Sequence, residues 1–176
     1  MMIEMMTTTL PGQLRVCITD RSIQDSALEL SASLTEEGEP LLILDACGCF
    51  EPSRVSRCAP HSTGLLHILR ASTADSYSEI WSRLQAIQRD LQARQILVVG
   101  LLDRLYDPEI LTREASRTLG GIKAKLEHLA ENGFDITVLC QSQSGQLGTR
   151  SHLLPSLCAA ADQVSGSPIT RVAQPS

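Results

Sequence analysis

Aromatic side chains are scarce in this sequence: two phenylalanines, two tyrosines and one tryptophan make up 3% of its 176 residues. A core built from it is therefore aliphatic. The shortage also argues against a nucleic-acid platform that stacks bases on exposed rings. Positive charge is short as well, with 15 Lys and Arg against 20 Asp and Glu and a net charge of -5. A sequence-independent grip on a phosphate backbone needs a basic face, so direct DNA contact is expected to be weak or to require a partner. No apolar run approaches the ~20 residues of a membrane span, and no membrane association is expected. The opening MMIEMMTTTL carries an acid and is too short for a secretory apolar segment, which points to a cytoplasmic protein, or a nuclear one in a eukaryote.

Cysteine, by contrast, is plentiful: six residues, at positions 17, 47, 49, 58, 140 and 158. In a reduced compartment they read as small core residues. Cys47-Gly48-Cys49 is a lone C-x-C with no second pair at metal-ligand spacing, so it is weak evidence of a metal site. Cys17 and Cys140 fall near strand ends and would have to converge with it. The four histidines, His61, His67, His128 and His152, are scattered and form no ligand pattern.

The 43% of hydrophobic residues suffices for one domain over residues 13–173, preceded by a flexible tail over 1–12. Apolar runs at Leu14–Thr19, Leu41–Asp45, Leu65–Arg70, Gln95–Leu102 and Phe134–Cys140 predict strands. A further edge strand is expected at Ile169–Val172. Helical spacing predicts helices over Gln24–Glu37, Pro52–Cys58, Asp75–Ala93, Leu153–Ala161 and, longest, from Asp107-Pro108 to Asn132. Ser72 or Thr73 would cap the third of these in chain order. Gly120-Gly121 inside the longest helix predicts close packing or a kink. Such alternation gives an α/β domain, a mostly parallel sheet with helices on both faces.

In such a sheet, ligands sit at the carboxyl ends of the strands. The first turn there, TDRSIQDSA, lacks the glycines and lysine of a phosphate cradle, and Asp20 repels phosphate. The second, LILDACGCFEPSRV, resembles the D-T-E-G-x-F-x-P-x-R stretch of the RecA-type recombinases of archaea and eukaryotes: Asp45, Gly48, Phe50, Pro52 and Arg54 match in order. ILVVGLLDRLYD is similar to that family's Walker B strand, with Leu105-Tyr106 aligned. DITVLCQSQSG is similar to its V-x-I-T-N-Q, which puts Gln141 on the glutamine that links nucleotide state to the DNA-binding loop. LLHILRASTADSYSEIWSRL is similar to the segment before Walker B. The likeness covers about residues 14–165.

The resemblance implies a RecA-like, P-loop NTPase-type core with degenerate Walker motifs. The catalytic glutamate falls on Cys47 and the Mg²⁺-linked aspartate on Gly100. The Walker A lysine is missing. Asp103 lies three residues beyond Gly100 and, on a continuing strand, would face the other way. Phosphoryl transfer depends on such groups and Mg²⁺ together. The expectation is thus a pseudo-ATPase with no catalytic residue, cofactor or metal. It would assist DNA recombination or repair by binding a related RecA-like subunit or a second copy of itself. Arg54, Arg57, Arg104 and Gln141 are the candidate DNA or partner contacts. Leu101, Leu102, Leu105 and Tyr106 run past the fourth strand and would form an exposed apolar patch. Two alternatives stay open: a thiol enzyme with Cys47 or Cys49 as nucleophile, and a sensor that binds nucleotide without hydrolysing it.

Overall fold

The computed structural model describes residues 12–48, 50–70, 77–142 and 150–166. Six strands form one sheet: β1 (Leu14–Thr19), β2 (Leu41–Asp45), β3 (Leu66–Arg70), β4 (Gln95–Val99), β5 (Asp135–Gln141) and β6 (Gln163–Ser165). Their order is β3-β2-β4-β5-β1-β6, and every pairing is parallel. Parallel neighbours need crossover connections, and helices supply them. These are α1 (Ile23–Leu34), α2 (Pro52–Cys58), α3 (Tyr77–Leu91), α4 (Thr112–Glu131) and α5 (Leu153–Ala160).

The aliphatic run of β2 is buried at every position because both faces of the sheet are covered. Its residues alternate between two cores. Leu42 and Leu44 join a cluster with Ile80, Trp81 and Leu84 of α3, Leu119, Ile122 and Leu126 of α4, and Leu153, Leu154 and Leu157 of α5. Leu41 and Ile43 join the opposite cluster, with Ala27 of α1, Phe50 and Val55 of α2. The period-2 geometry of a strand makes this division. In α1 the most deeply buried positions are Ser26, Ala27 and Ser31, while the predicted Leu28, Leu30 and Leu34 are half-buried. The Ser31 hydroxyl donates to the Ala27 carbonyl at 2.7 Å, so the small polar side chain is satisfied against the sheet.

Four expectations need correction. The strand predicted through Leu102 stops at Val99, because Gly100 takes φ +72° and turns the chain. Leu101, Leu102 and Leu105 then fold back into the core at 0%, 3% and 2% exposure, and Tyr106 is half-buried, so they form no exposed patch. The longest helix begins at Thr112 and not at Asp107. The Arg150 guanidinium donates to the carbonyls of Leu105, Asp107 and Ile110, and this holds the segment in an irregular path. Finally, Gly120 and Gly121 sit in an unbroken α4 on its exposed side, with nothing within 4 Å of an added Cβ. Neither close packing nor a kink explains them. Gly121→Ala is accordingly expected to raise stability by about 0.5–1 kcal/mol, read as a higher urea midpoint at constant slope.

The edge strand is β6, joined to β1 through a carboxylate. The Leu14 amide donates to Asp162 Oδ2 at 2.9 Å. Residues 1–11, the capping positions 72 and 73, the loop over 143–149 and the strand predicted at 169–172 lie outside the described residues. No described helix is long and apolar enough to cross a membrane.

Candidate functional site

Six parallel strands bring their carboxyl ends to one edge, where the first, second, fourth and fifth turns meet. The β2 turn is organised by Asp45. Its side chain is fully buried, and the Phe50 amide donates to Asp45 Oδ2 at 3.0 Å. The Cys47 thiol donates to Asp45 Oδ1 at 3.6 Å. A backbone bond from Ala46 N to the Val99 carbonyl, 2.9 Å, ties this turn to the end of β4. Arg70, paired in register with Asp45 across β3, donates to the Phe50 carbonyl at 2.9 Å. The carboxylate is thus committed to holding Cys47 and Phe50 in place. The sequence pointed to Asp45 but gave no sign of Arg70.

That turn presses Cys47 onto Gly100. A Cβ built on Gly100 would lie 2.5 Å from Cys47 Sγ and 2.6 Å from Cys47 Cβ. It would lie 3.3 Å from Asp103 Oδ2. The expectation that Asp103 faces away therefore fails. The alternation argument needs a strand, and the strand has ended. Asp103 heads a one-turn 3-10 helix, Asp103–Tyr106, whose first amide donates to the Gly100 carbonyl at 3.2 Å. Loss of hydration raises the Asp103 carboxyl above its ordinary pKa. The two degenerate positions, Cys47 and Gly100, are thus in direct contact, with a carboxylate beside them.

The β1 turn offers little to an anion. Thr19 Oγ1 and Ser26 Oγ share a hydrogen bond of 2.7 Å across it, and the Arg21 amide donates to Thr19 Oγ1 at 3.1 Å. Arg21 is paired with Glu29 at 2.8 Å, and Arg54 with Asp25 at 2.7 Å. Hydrogen bonds to Glu29 and Asp25, respectively, push both guanidinium pKa values further up. Arg21 and Arg54 thus each have a carboxylate of their own.

The structure does not bring the remaining predicted contacts together with them. Arg57 is exposed on α2, and Gln141 is exposed as the last residue of β5, opposite Thr19. Arg104 lies in the 3-10 helix after Gly100, its side chain outside the described atoms. Among the described residues no group of three His, Cys, Asp or Glu side chains could hold a metal ion. Burial pushes the Cys140 thiol far up and the Cys158 thiol up. Cys47 is half-buried, its thiol directed at the Asp45 carboxylate. Cys49 lies outside the described residues.

No protein-family model and no curated protein matches the chain. Among solved structures, the crystal structure of the RadB recombinase superimposes with a TM-score of 0.56 over 88% of this chain and 73% of that one. The fold is RecA-like. At 13% identity the likeness reaches the architecture and stops there. The RecA-like core accounts for the all-parallel sheet with helices on both faces. The Asp45 turn, Gly100 and Gln141 all lie at the carboxyl ends of its strands.

Proposed function

We propose that this domain works by binding and not by catalysis. It is a RecA-like module that completes an interface with a related RecA-like subunit, or with a second copy of itself, in DNA recombination or repair. One observation carries the reading. Where the resemblance calls for a water-orienting glutamate and a metal-linked aspartate, Cys47 fills the space that a side chain at Gly100 would need. A carboxylate at position 100 has no room. The nearest one, Asp103, is exposed at the surface, with partial burial raising its carboxyl above the ordinary pKa. The glycine-free β1 turn, with its arginines already paired, adds support. Gln141, exposed at this edge, and Arg57, exposed on α2, are the residues offered to a partner.

The test joins two measurements on the full chain. A ligand at a hundredfold its Kd adds about 2.7 kcal/mol. For a domain of this size that is a shift in Tm of about 5 °C or more. ATP with Mg²⁺ is expected to give no such shift and no phosphate release. A shift without release would favour the nucleotide-sensor alternative. Affinity capture from the native source is expected to recover an ATPase of the same fold or a DNA-processing protein. Capture of neither, or turnover of ATP lost on mutating this edge, refutes the reading.

A further inference from the structure

A cleft of about 490 Å³ opens at the opposite, amino edge of the sheet, where α3 and α4 end. Gln88, Arg89 and Arg94 line one side, and His128, Leu129 and Phe134 the other. A second lobe of about 370 Å³ shares Gln85, His128 and Leu129 with it and adds Trp81 and Lys125. The size suits a small organic ligand.

Charge separates this cleft from the rest of the molecule. The chain carries a net charge of -5, yet neither lobe is lined by any Asp or Glu, while Arg89, Arg94, Lys125 and His128 line them. Arg89, Arg94 and Lys125 are not consumed in capping α4. The carbonyls of His128, Leu129 and Ala130 accept from the amides of Asn132, Phe134 and Gly133. The ion pairs described above, Arg21–Glu29 and Arg54–Asp25, involve none of them.

A second observation is independent of charge. Gln88 is 6% exposed and Trp81 4%, and Gln88 Nε2 and Trp81 Nε1 are buried without a hydrogen-bond partner. Seven residues apart, the two lie on one face of α3. Buried donors are nearly always paired, so two unmet ones beside one cleft ask for an acceptor.

We propose that the cleft binds a small organic anion with a flat apolar body, an aromatic carboxylate or phosphate ester. The anionic group meets Arg89, Arg94 and His128. The ring lies against Leu129 and Phe134, and a ligand oxygen accepts from Gln88 Nε2. The proposal stands apart from the reading of the carboxyl edge and survives its failure.

Trp81 is the single tryptophan, so intrinsic fluorescence reports the cleft directly. Phenyl phosphate and benzoate are titrated into the full chain, with benzyl alcohol and inorganic phosphate as controls. At least one organic anion is expected to give a saturable change, with each control at least about tenfold weaker. Gln88→Leu, and separately the pair Arg89→Ala with Arg94→Ala, are each expected to weaken it about tenfold or more. Should Gln88→Leu lower the melting temperature, the exposed arginine pair decides alone. No saturable response, equal binding of either control, or undiminished affinity in the deciding variants overturns the proposal.

Discussion

Gly100→Ala is expected to cost about 2–5 kcal/mol of folding stability, the sum of two separate penalties. The first is conformational: φ is +72° at this position, and a left-handed backbone costs an L-residue about 1–2 kcal/mol. The second is steric: the new methyl would sit 2.5 Å from Cys47 Sγ, and overpacking a tight site costs about 1–3 kcal/mol. The two penalties can be separated. Cys47→Gly removes the opposing atoms and should relieve the steric part alone. A double-mutant cycle by urea denaturation should therefore show a favourable coupling of about 1–3 kcal/mol between positions 47 and 100. Additive costs would mean that the contact is not tight. Gly100→Asp, which restores the Walker B carboxylate implied by the resemblance, should be worse than alanine. This links stability to function: the edge cannot regain a metal-linked carboxylate by a single substitution.

Asp45→Ala is expected to destabilise the domain by about 3 kcal/mol, because it strips the buried acceptor from the Phe50 amide and from the Cys47 thiol. Asp45→Asn keeps one oxygen for Phe50 and should cost only about 1 kcal/mol. The loss should also spread. Phe50 and Val55 are each 3% exposed in the core shared with α1, so loosening the turn should free both. Amide hydrogen exchange at residues 46–55 reads this. If Asp45→Ala left both the denaturation midpoint and those protections intact, the carboxylate would be free for chemistry and not committed to the turn.

Strands β1 to β5 were legible because each is a short aliphatic run bounded by turn residues; β6, the exposed QVS, has no such run and was missed. LLILD is buried on both faces, and sequence shows this without any partner being known. Pro52 marked the start of α2 as predicted, since its ring suits the first helical turn and lacks only an amide that would go unpaired there. The stretch from Gly100 to Leu111 was not legible. Its path depends on Arg150, some 40 residues later, taking carbonyls that a helix would otherwise have used. Nor could the sequence show that Asp103 turns back to Gly100. The cleft between α3 and α4 was missed as well. Gln88 was the available signal, a polar residue four positions after buried Leu84 on an otherwise apolar face.

The sequence by itself determined the class of fold, the number of strands that cross the core and their places along the chain, and the absence of a glycine-lysine phosphate cradle. All three follow from local residue types: apolar period, turn chemistry and the presence or absence of particular side chains. Only the tertiary structure decided that Cys47 and Gly100 touch, that Asp45 is consumed by its own turn, and that two unmet donors border a carboxylate-free cleft at the far edge. Those are relations between residues brought together by strand pairing and helix packing. Sequence spacing does not encode such distances, because the sheet order, β3-β2-β4-β5-β1-β6, sets them.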